Sequence, residues 1–369
     1  MHKPIMKDME NKLFIGIMSG TSLDGIDCAL VRFEKSEIKI IDKKFFPYEK
    51  NLRHELTELT QNNRFFLSHL VRLSNEVGTA YGNAINKIII ENEISKKQIG
   101  AAGISGQTLL HQPTIDRPYT FQIGNISKVH SLTSINLAYD FRVTDINNGG
   151  QGAPLLPAFF DQLKNKNFIY LNIGGIANIS FKLNKNYIGY DCGPGNTLID
   201  LCAQKFLNLP YDPDGAHSKQ GEVDKVILDK MLDDAYFKLP FPKSTGTDYF
   251  NQNWILKFFQ KELSKLDVLA TVTELTAQSI AREINAINSN NEKVIVYGGG
   301  SHNTFLINRI MENLRNYDIV SSELIGIDPD YVEAIAFAWL AKERFKNKTI
   351  DLTQITGSRN IKMLGECYL

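Results

Sequence analysis

Two apolar segments near the start of the chain are separated by a polar turn. Residues 13–18 and 26–33 are mainly apolar, and the turn at 19–25 between them is rich in Gly, Ser, Thr and Asp. This arrangement predicts a β-hairpin, followed by a third strand at 38–41. Residues 52–91 then carry apolar side chains at helical spacing, which predicts amphipathic helices packed on a sheet.

The same order of elements returns in the second half of the chain. An apolar strand at 168–173 runs into a glycine turn at 174–177, and further strands are predicted at 178–181 and 187–191. Both cycles consist of a strand, a glycine turn and two more strands, followed by a helical region. We interpret this repetition as a duplicated α/β unit.

A last glycine turn and an alanine-rich helix lie towards the end of the sequence. Residues 294–297 predict a strand that ends in the glycine-rich turn 298–303. Residues 332–345 predict a helix whose small side chains favour close packing. Because no low-complexity segment separates the two halves, we expect two domains with a ligand cleft between them.

Length and charge narrow the classes of function. The chain has 369 residues, which is enough for roughly two domains. Lys and Arg together number 41, as do Asp and Glu, so the net charge is zero. Without a bulk positive field, nucleic acids and anionic membranes are disfavoured as partners, and a small-molecule substrate is expected.

The cysteines and the apolar runs indicate a soluble cytoplasmic protein. Cys28, Cys192, Cys202 and Cys367 form no pair at metal-ligand spacing and suggest no disulfide framework. No apolar run approaches the ~20 residues that a helix needs to cross a bilayer. A reducing compartment is therefore expected.

Three glycine turns, each directly after an apolar strand, are the most informative feature of the sequence. They lie at 19–25, 174–175 and 298–300. Successive backbone N–H groups in such turns bind anions, although any one of these turns alone is more often an ordinary tight turn. The first also has side chains suited to phosphate and Mg²⁺, namely the hydroxyls of Ser19, Thr21 and Ser22 and the carboxylates of Asp24 and Asp27.

Several common catalytic motifs are absent from the sequence. It contains neither the GxxxxGK[ST] motif of P-loop enzymes nor a GxGxxG after a strand, and it also lacks GxSxG and HExxH. What remains is a duplicated hairpin architecture that could hold the phosphates of ATP between two domains.

Asp191 is the strongest candidate for a catalytic carboxylate. It lies where a strand meets a Gly-Pro-Gly turn, ahead of a helix predicted to begin near Thr197. A carboxylate at such a position is well placed to accept a proton from a hydroxyl or a water molecule. It would serve equally well as a helix N-cap or an Asx-turn residue, and the local pattern leaves these interpretations open.

Weaker candidates are polar residues in glycine-rich connections. Lys243, Ser244, Thr245 and Gly246 resemble a phosphate-binding tetrad, but they follow two prolines in a predicted loop. Arg142 is equally consistent with a structural ion pair, and a lone histidine such as His111 is usually a structural hydrogen-bonding residue.

Taken together, these segments resemble the anhydro-N-acetylmuramic acid kinases. The matching motifs occur in the family's order and span nearly the whole chain. They are GIMSGTSLDG at 16–25, SGQT at 105–108, DFR at 140–142, GGQGAP at 149–154, NIGGIAN at 172–178, DCGPGN at 191–196, PKSTG at 242–246, GGGSHN at 298–303, EA at 333–334 and AFAWLA at 336–341.

The resemblance implies the fold shared by actin, the seventy-kilodalton heat-shock ATPases and sugar kinases. This is an α/β fold of two duplicated domains with an interdomain cleft, in agreement with the repeated pattern of elements. We expect the domains at 1–140 and 141–369, with the final helix packing back on the first domain.

The resemblance also implies an activity. The family uses ATP to phosphorylate 1,6-anhydro-N-acetylmuramic acid while water opens the anhydro bridge, which yields N-acetylmuramic acid 6-phosphate for peptidoglycan recycling. ATP and Mg²⁺ are therefore implied, with the metal ligands unassigned and a homodimer left open. The alternatives are an ordinary hexose or amino-sugar kinase and a non-enzymatic actin-like ATPase.

Matching the motifs assigns roles to individual residues. Asp191 corresponds to the catalytic aspartate, which accepts a proton from the attacking water, and Glu333 corresponds to a carboxylate that assists at the sugar. The implied nucleotide-binding residues are Gly20, Thr21, Ser22, Leu23, Asp24, Gly25, Ile26, Asp27, Gly174, Gly175, Gly298, Gly299 and Gly300.

Overall fold

The computed structural model divides the chain into two compact units. One unit comprises Met1–Lys164 and Tyr331–Leu369, and the other comprises Asn165–Asp330. The structure describes residues 9, 11–34, 37–61, 66–113, 115–163, 168–184, 186–241, 243–259, 263–287 and 293–369. Pro242, part of one motif in the sequence, lies outside these residues.

The first unit is built on a six-stranded mixed sheet with helices packed on it. Its strands are β1 (Leu13–Met18), β2 (Gly25–Phe33), β3 (Ile38–Pro47), β4 (Ile99–Ile104), β7 (Leu137–Tyr139) and β13 (Glu366–Tyr368), and a separate hairpin is formed by β5 (Gln107–Gln112) and β6 (Tyr119–Ile123). Its helices are α1 (Lys50–Gln61), α2 (Leu67–Glu91), α3 (Ile126–Thr133), α4 (Phe141–Asn147), α5 (Leu156–Gln162) and α11 (Val332–Phe345).

The second unit is built on a five-stranded mixed sheet. Its strands are β8 (Phe168–Ile173), β9 (Ile176–Leu183), β10 (Asn186–Pro194), β11 (Lys293–Tyr297) and β12 (Asp318–Ser321). Its helices are α6 (Thr197–Leu207), α7 (Lys225–Leu232), α8 (Gln252–Leu256), α9 (Lys265–Ala286) and α10 (Thr304–Asn313).

The two sheets share one topology. The order is β3-β2-β1-β4-β7-β13 in the first unit and β10-β9-β8-β11-β12 in the second, so five strands of the first sheet match the five of the second. In each, the first three strands in chain order form antiparallel pairs, and the next two lie parallel to the first strand. The predicted duplication of an α/β unit is therefore confirmed.

The helical periodicity of the first half is also confirmed. Along α2, Leu73, Val77, Tyr81, Ile85 and Ile88 recur every three or four residues and are all buried. This spacing places them on one face of the helix, where they pack into the core of the first unit. No helix among the described residues is apolar over a length that would cross a membrane.

The third strand is longer than its apolar pattern predicts. Residues 38–41 are its apolar part, but pairing with β2 continues to Pro47, which lies opposite Gly25. The added residues include Asp42, Lys43 and Lys44, whose polar side chains break the pattern. Because β3 is an edge strand, these side chains can remain partly exposed while the backbone completes the ladder.

Helix α11 packs closely on the first sheet through two glycines. A Cβ atom on Gly16 of β1 would lie 1.7 Å from the carbonyl oxygen of Ala334, and one on Gly103 of β4 would lie 2.0 Å from that of Phe337. Because these two positions have no side chain, the backbone of the helix can contact the backbone of the strands directly. The alanine-rich sequence of α11 continues this close packing on the helix side.

The boundary predicted at residue 140 falls inside the first compact unit. The ring of Phe141 packs on that of Phe337 with centroids 5.7 Å apart, and β13 pairs with β7. These contacts attach residues 141–163 and the C-terminal segment to the first sheet, so the compact units differ from a simple division into halves. The domain boundary itself stays a prediction.

Gly103→Ala is expected to destabilise the protein. The added methyl carbon would meet the Phe337 carbonyl, and the cost of such overpacking is about 1–3 kcal/mol. Chemical denaturation measures the free energy of unfolding. Gly20→Ala is the matched control, because its Cβ would have no neighbour closer than 3.5 Å. Equal stability of the two variants would show that helix and sheet tolerate a methyl group between them.

Candidate active site

The first glycine turn joins β1 to β2 and is held by side chains from elsewhere in the first unit. The backbone N–H of Ser19 donates to Oγ of Ser105 over 3.2 Å, and Nε2 of Gln107 donates to the carbonyl of Gly20 over 2.9 Å. Gln107 is fully buried, and its Oε1 accepts from the hydroxyl of Tyr48 over 3.2 Å. The conformation of the turn is therefore fixed by side-chain contacts.

Two tyrosines support the same turn from within the core. Oγ of Ser19 and the hydroxyl of Tyr81 are 2.5 Å apart. Burial raises the pKa of Tyr48 to about 12 and holds that of Tyr81 well above its usual value, so both phenols stay neutral. Neither tyrosine lies in the motifs found in the sequence, and only the tertiary structure identifies them.

The predicted nucleotide-binding residues of this turn separate into two groups. Thr21, Ser22 and Asp24 are exposed, which suits them to contact a ligand. Leu23, Gly25 and Ile26 are buried, Gly20 and Asp27 are partly exposed, and a Cβ on Gly25 would lie 2.4 Å from the carbonyl oxygen of Phe46. Gly25 is thus required by the protein's own packing.

The second glycine turn, between β8 and β9, is held by the start of helix α6. The carbonyl of Gly175 accepts from the backbone N–H groups of Gly195 and Thr197, and that of Gly174 accepts from Asn196. With its carbonyls occupied by these bonds, the turn is fixed on one side. A Cβ on Gly174 would have no atom of the protein within 3.5 Å, so the other side is open.

The third glycine turn lies beside the second one. It follows β11, whose Tyr297 pairs with Asn172 at the end of the parallel strand β8. A Cβ on Gly298, where φ is +83°, would lie 2.4 Å from Oδ1 of Asn172, whereas one on Gly299 would meet nothing within 4 Å. The second and third turns therefore lie side by side at the ends of two neighbouring parallel strands of the second unit.

One side chain in the third turn has an unsatisfied polar atom. Oγ of Ser301 is buried and has no hydrogen-bond partner among the described residues. Buried hydroxyls are normally satisfied, so this atom is a candidate ligand contact close to the open face at Gly299. Sequence reasoning did not select Ser301.

Asp191 lies in β10 next to a β-bulge. Asp191 pairs with Asn178, but the next pair joins Gly193 to Ala177, which leaves Cys192 as the extra residue. Such bulges turn side chains away from the regular alternation and are common beside active sites. Helix α6 begins after Asn196, which occupies the N-cap position five residues further on without a side-chain capping bond, so the interpretation of Asp191 as its N-cap is wrong.

The carboxyl group of Asp191 is held by a single hydrogen bond. The backbone N–H of Thr245 donates to its Oδ2 over 2.9 Å, and Oδ1 accepts no hydrogen bond from any residue that the structure describes. Burial raises the pKa of Asp191 from 3.8 to about 7, and the Thr245 N–H offsets only part of this rise. The group can therefore exchange a proton near neutral pH.

The backbone around Asp191 is anchored by an ion pair that is largely buried. The Asp191 N–H donates to the carbonyl of Lys243 over 3.1 Å, and the Tyr236 hydroxyl donates to the Asp191 carbonyl over 2.8 Å. Nζ of Lys243 lies 2.8 Å from Oε1 of Glu283 and 5.1 Å from the centroid of the Tyr236 ring. The lysine side chain is only 3% exposed, so it anchors the loop rather than meeting solvent.

Glu333 lies in the first turn of α11, in the first unit, and is electrostatically coupled to Arg142. Burial raises the pKa of Glu333, and the positive charge of Arg142 opposes that rise. The Arg142 guanidinium donates to the Gly152 carbonyl over 3.1 Å, and Oδ2 of Asp145 accepts from the Gly152 N–H over 2.7 Å. These contacts tie the DFR and GGQGAP motifs together beside Glu333.

The C-terminal segment completes this arrangement through Asp145. Hydroxyls of Thr356 and Ser358 both donate to Oδ1 of Asp145. The Arg142 pKa is lowered by burial, while the charges of Glu333 and Asp145 oppose the change. Arg142 thus makes structural contacts, which was one of the two interpretations that the sequence left open. His111 makes a structural hydrogen bond to Thr120.

Comparison with known proteins places the whole chain in one family. Residues 12–369 match the family model for anhydro-N-acetylmuramic acid kinase. A protein of that name from Pasteurella multocida is 40% identical over 362 residues, covering 96% of each chain. One from Hydrogenovibrio crunogenus is 37% identical over 367 residues, covering 98% of this chain and 100% of the relative. The chain therefore belongs to the anhydro-N-acetylmuramic acid kinase family.

Proposed function

We propose that this chain is an ATP-dependent kinase that opens the 1,6-anhydro ring of anhydro-N-acetylmuramic acid with water and phosphorylates the sugar. The product would be N-acetylmuramic acid 6-phosphate. The family match over nearly the full length supports this reaction. Within the structure, the observation that carries it is the Asp191 carboxyl, which has a free Oδ1 and a pKa near 7.

Asp191 acts as the general base. A base works best when its pKa lies near the working pH, because it is then both available as the carboxylate and strong enough to accept a proton. It takes a proton from water, and the oxygen of that water forms a bond to the anomeric carbon. The bond from this carbon to the bridging oxygen breaks, and the released oxygen attacks the γ-phosphorus of ATP as the bond to ADP breaks.

The glycine turns bind the phosphates of ATP. At Gly174 and Gly299 a Cβ atom would meet little or no protein, so side chains at these positions would fill space left for a ligand. Backbone N–H groups in such turns donate to phosphate oxygens. In the first unit, Thr21, Ser22 and Asp24 expose two hydroxyls and a carboxylate on the first glycine turn.

Mg²⁺ would be held mainly by ATP in this proposal. The described residues contain no cluster of three His, Cys, Asp or Glu side chains suited to a metal. Magnesium commonly binds one or two carboxylates together with substrate phosphates and water. Asp24 is the candidate carboxylate, and its Oδ1 already accepts from Oγ of Ser22 over 2.6 Å. When bound, the ion would neutralise phosphate charge.

Glu333 serves the sugar in this proposal, as the carboxylate that corresponds to it in the family does. Burial raises the pKa of Glu333, and the positive charge of Arg142 opposes that rise. The cytoplasm is the proposed location, consistent with four cysteines that are all free thiols.

Turnover in oxygen-18 water tests this reaction directly. We expect one labelled oxygen at the anomeric position of the product, because the attacking water forms a bond to that carbon. Mass spectrometry of the sugar after removal of the phosphate measures the label. An ordinary hexose or amino-sugar kinase would leave the anomeric oxygen unlabelled.

The control is unlabelled product incubated in the same water for the same time. It measures exchange through the open-chain aldehyde, which would otherwise imitate incorporation. Label no higher than in this control would contradict the proposed ring opening.

A further inference from the structure

The hydroxyl of Thr245 is an unsatisfied group beside Asp191. Its Oγ1 is buried and has no hydrogen-bond partner in the described part of the chain. Buried polar atoms nearly always find a partner, which is often a bound ligand or water when the protein supplies none. An unpaired hydroxyl at this position therefore indicates that something else binds there.

The same residue already contacts the catalytic carboxylate. Its backbone N–H donates to Oδ2 of Asp191, whereas Oδ1 of Asp191 receives no hydrogen bond from the residues described. Two unused groups thus belong to residues in direct contact, one a carboxylate oxygen on β10 and the other a hydroxyl on the adjoining loop. Together they offer two hydrogen-bond positions for one small polar molecule.

A nucleophilic water needs two hydrogen-bond acceptors to be oriented. One accepts the proton that is removed, and the other holds the remaining hydrogen so that a lone pair points at the electrophile. A threonine hydroxyl has lone pairs to accept with, and it still has a hydrogen to donate elsewhere. The pair formed by Asp191 and Thr245 meets both requirements.

We propose that Thr245 orients the water that Asp191 deprotonates, with its Oγ1 accepting the second hydrogen of that water. This inference rests on the proposed function, because it names the partner of the same water. No bond to Thr245 forms or breaks, since the proton passes to Asp191 and the water oxygen passes to the anomeric carbon.

The loop that carries Thr245 is held firmly enough for this task. Two residues before it, Lys243 accepts the Asp191 N–H through its carbonyl and pairs with Glu283 through its buried side chain. The position of Oγ1 is thus set before the substrate arrives. Such preorganisation is what makes the orientation of a reacting group effective.

Thr245→Val tests the proposal, because valine keeps the shape and the backbone N–H but removes the hydroxyl. We expect kcat to fall about tenfold or more, because misplacement of a reacting group has effects of this size. KM for ATP and for the anhydro sugar should remain near wild type. Thr245→Ser restores the hydroxyl and should recover most of the lost kcat.

Thr57→Val is the matched control. It makes the same chemical change at a partly exposed position on α1, where the hydroxyl donates to the Arg53 carbonyl. This variant should keep wild-type kcat. If Thr245→Val does not fold, Thr245→Ala removes the same hydroxyl and makes the same measurement.

Three results would overturn the proposal. An unchanged kcat in Thr245→Val would show that the hydroxyl does not act in the reaction, and a rise in KM for the sugar alone would assign it to sugar binding. A loss in both the valine and the serine variants, with a lower melting temperature, would make it structural. Failure of the wild-type protein to use the anhydro sugar would instead contradict the proposed function.

Discussion

Replacing Asp191 with asparagine is expected to lower kcat by roughly a hundredfold or more, the usual effect of removing a positioned general base. Asparagine keeps the shape of the side chain, and its carbonyl oxygen still accepts the N–H of Thr245, which now bonds Oδ2 at 2.9 Å. Substrate affinities should therefore change little. Steady-state kinetics combined with calorimetric titration separate the two effects.

The pH profile of the wild-type protein provides a second measure of the same group. Because burial raises the pKa of Asp191 to about 7, the active carboxylate form accumulates as the pH rises through that value. We expect kcat/KM to increase over this range in the wild-type protein. The asparagine variant should lack this part of the profile.

The same substitution is expected to stabilise the protein at alkaline pH. Since the pKa of Asp191 is raised above its unfolded value of 3.8, the folded state binds the proton more tightly. The bound proton therefore adds to the free energy of unfolding. This contribution is full below the unfolded pKa of 3.8 and is lost as the pH rises through about 7. The variant should thus exceed wild type in melting temperature above pH 7, by an amount that shrinks at lower pH.

Asp200→Asn is the matched control for stability. Its carboxyl also has a pKa of about 7, raised by burial and by the charge of Asp212. Asp200→Asn should show the same pH-dependent gain in melting temperature as Asp191→Asn.

Near-normal turnover in Asp191→Asn would contradict the assignment of Asp191 as the base.

The duplicated fold could be predicted because its signals are local. A strand, a glycine turn and a returning strand occupy about twenty consecutive residues, and alternation and turn chemistry identify such hairpins directly. Their recurrence at residue 168 then predicted the second sheet. This pattern did not predict hairpin β5–β6 or helix α9. Most of α9 is buried, so it lacks the polar face that identifies a surface helix.

The surroundings of Asp191 could not be predicted, because they come from distant parts of the chain. Thr245 lies 54 positions further on, and the Lys243–Glu283 pair joins residues 40 positions apart. No local pattern encodes which loop crosses a given strand. The sequence alone therefore left the base and the helix cap as equal alternatives. The position of Asn196 at the helix start removes the cap, and the role of Asp191 as the base stays a prediction.

The glycines in the turns were also indistinguishable in the sequence. Gly298 and Gly300 are required by packing, because a Cβ atom would lie 2.4 Å from Oδ1 of Asn172 or 2.2 Å from Cγ2 of Ile173. Gly174 meets no such obstacle, and its φ is outside the left-handed region. The packing of the protein itself does not require a glycine there, so a side chain at this position tests whether the turn binds phosphate.

Gly174→Val is accordingly expected to weaken ATP binding by roughly a hundredfold, or about 2.7 kcal/mol, because the branched side chain would occupy the place of a phosphate oxygen. The melting temperature should stay near wild type, since the nearest protein atom to the new Cβ is 3.6 Å away. Calorimetric titration with ATP and Mg²⁺ measures the affinity, and Gly174→Ala should give a smaller loss.

Gly298→Val is the contrasting control. Its Cβ would overlap Asn172, and its φ of +83° is unfavourable for a branched residue, so it should lose stability before any effect on affinity is measured. A loss of ATP affinity in Gly174→Val together with a loss of stability in Gly298→Val is expected only if the ligand requires Gly174 and the fold requires Gly298. Wild-type affinity in Gly174→Val, or a loss of stability equal to that of Gly298→Val, would mean that the second turn is structural and that the phosphates bind elsewhere.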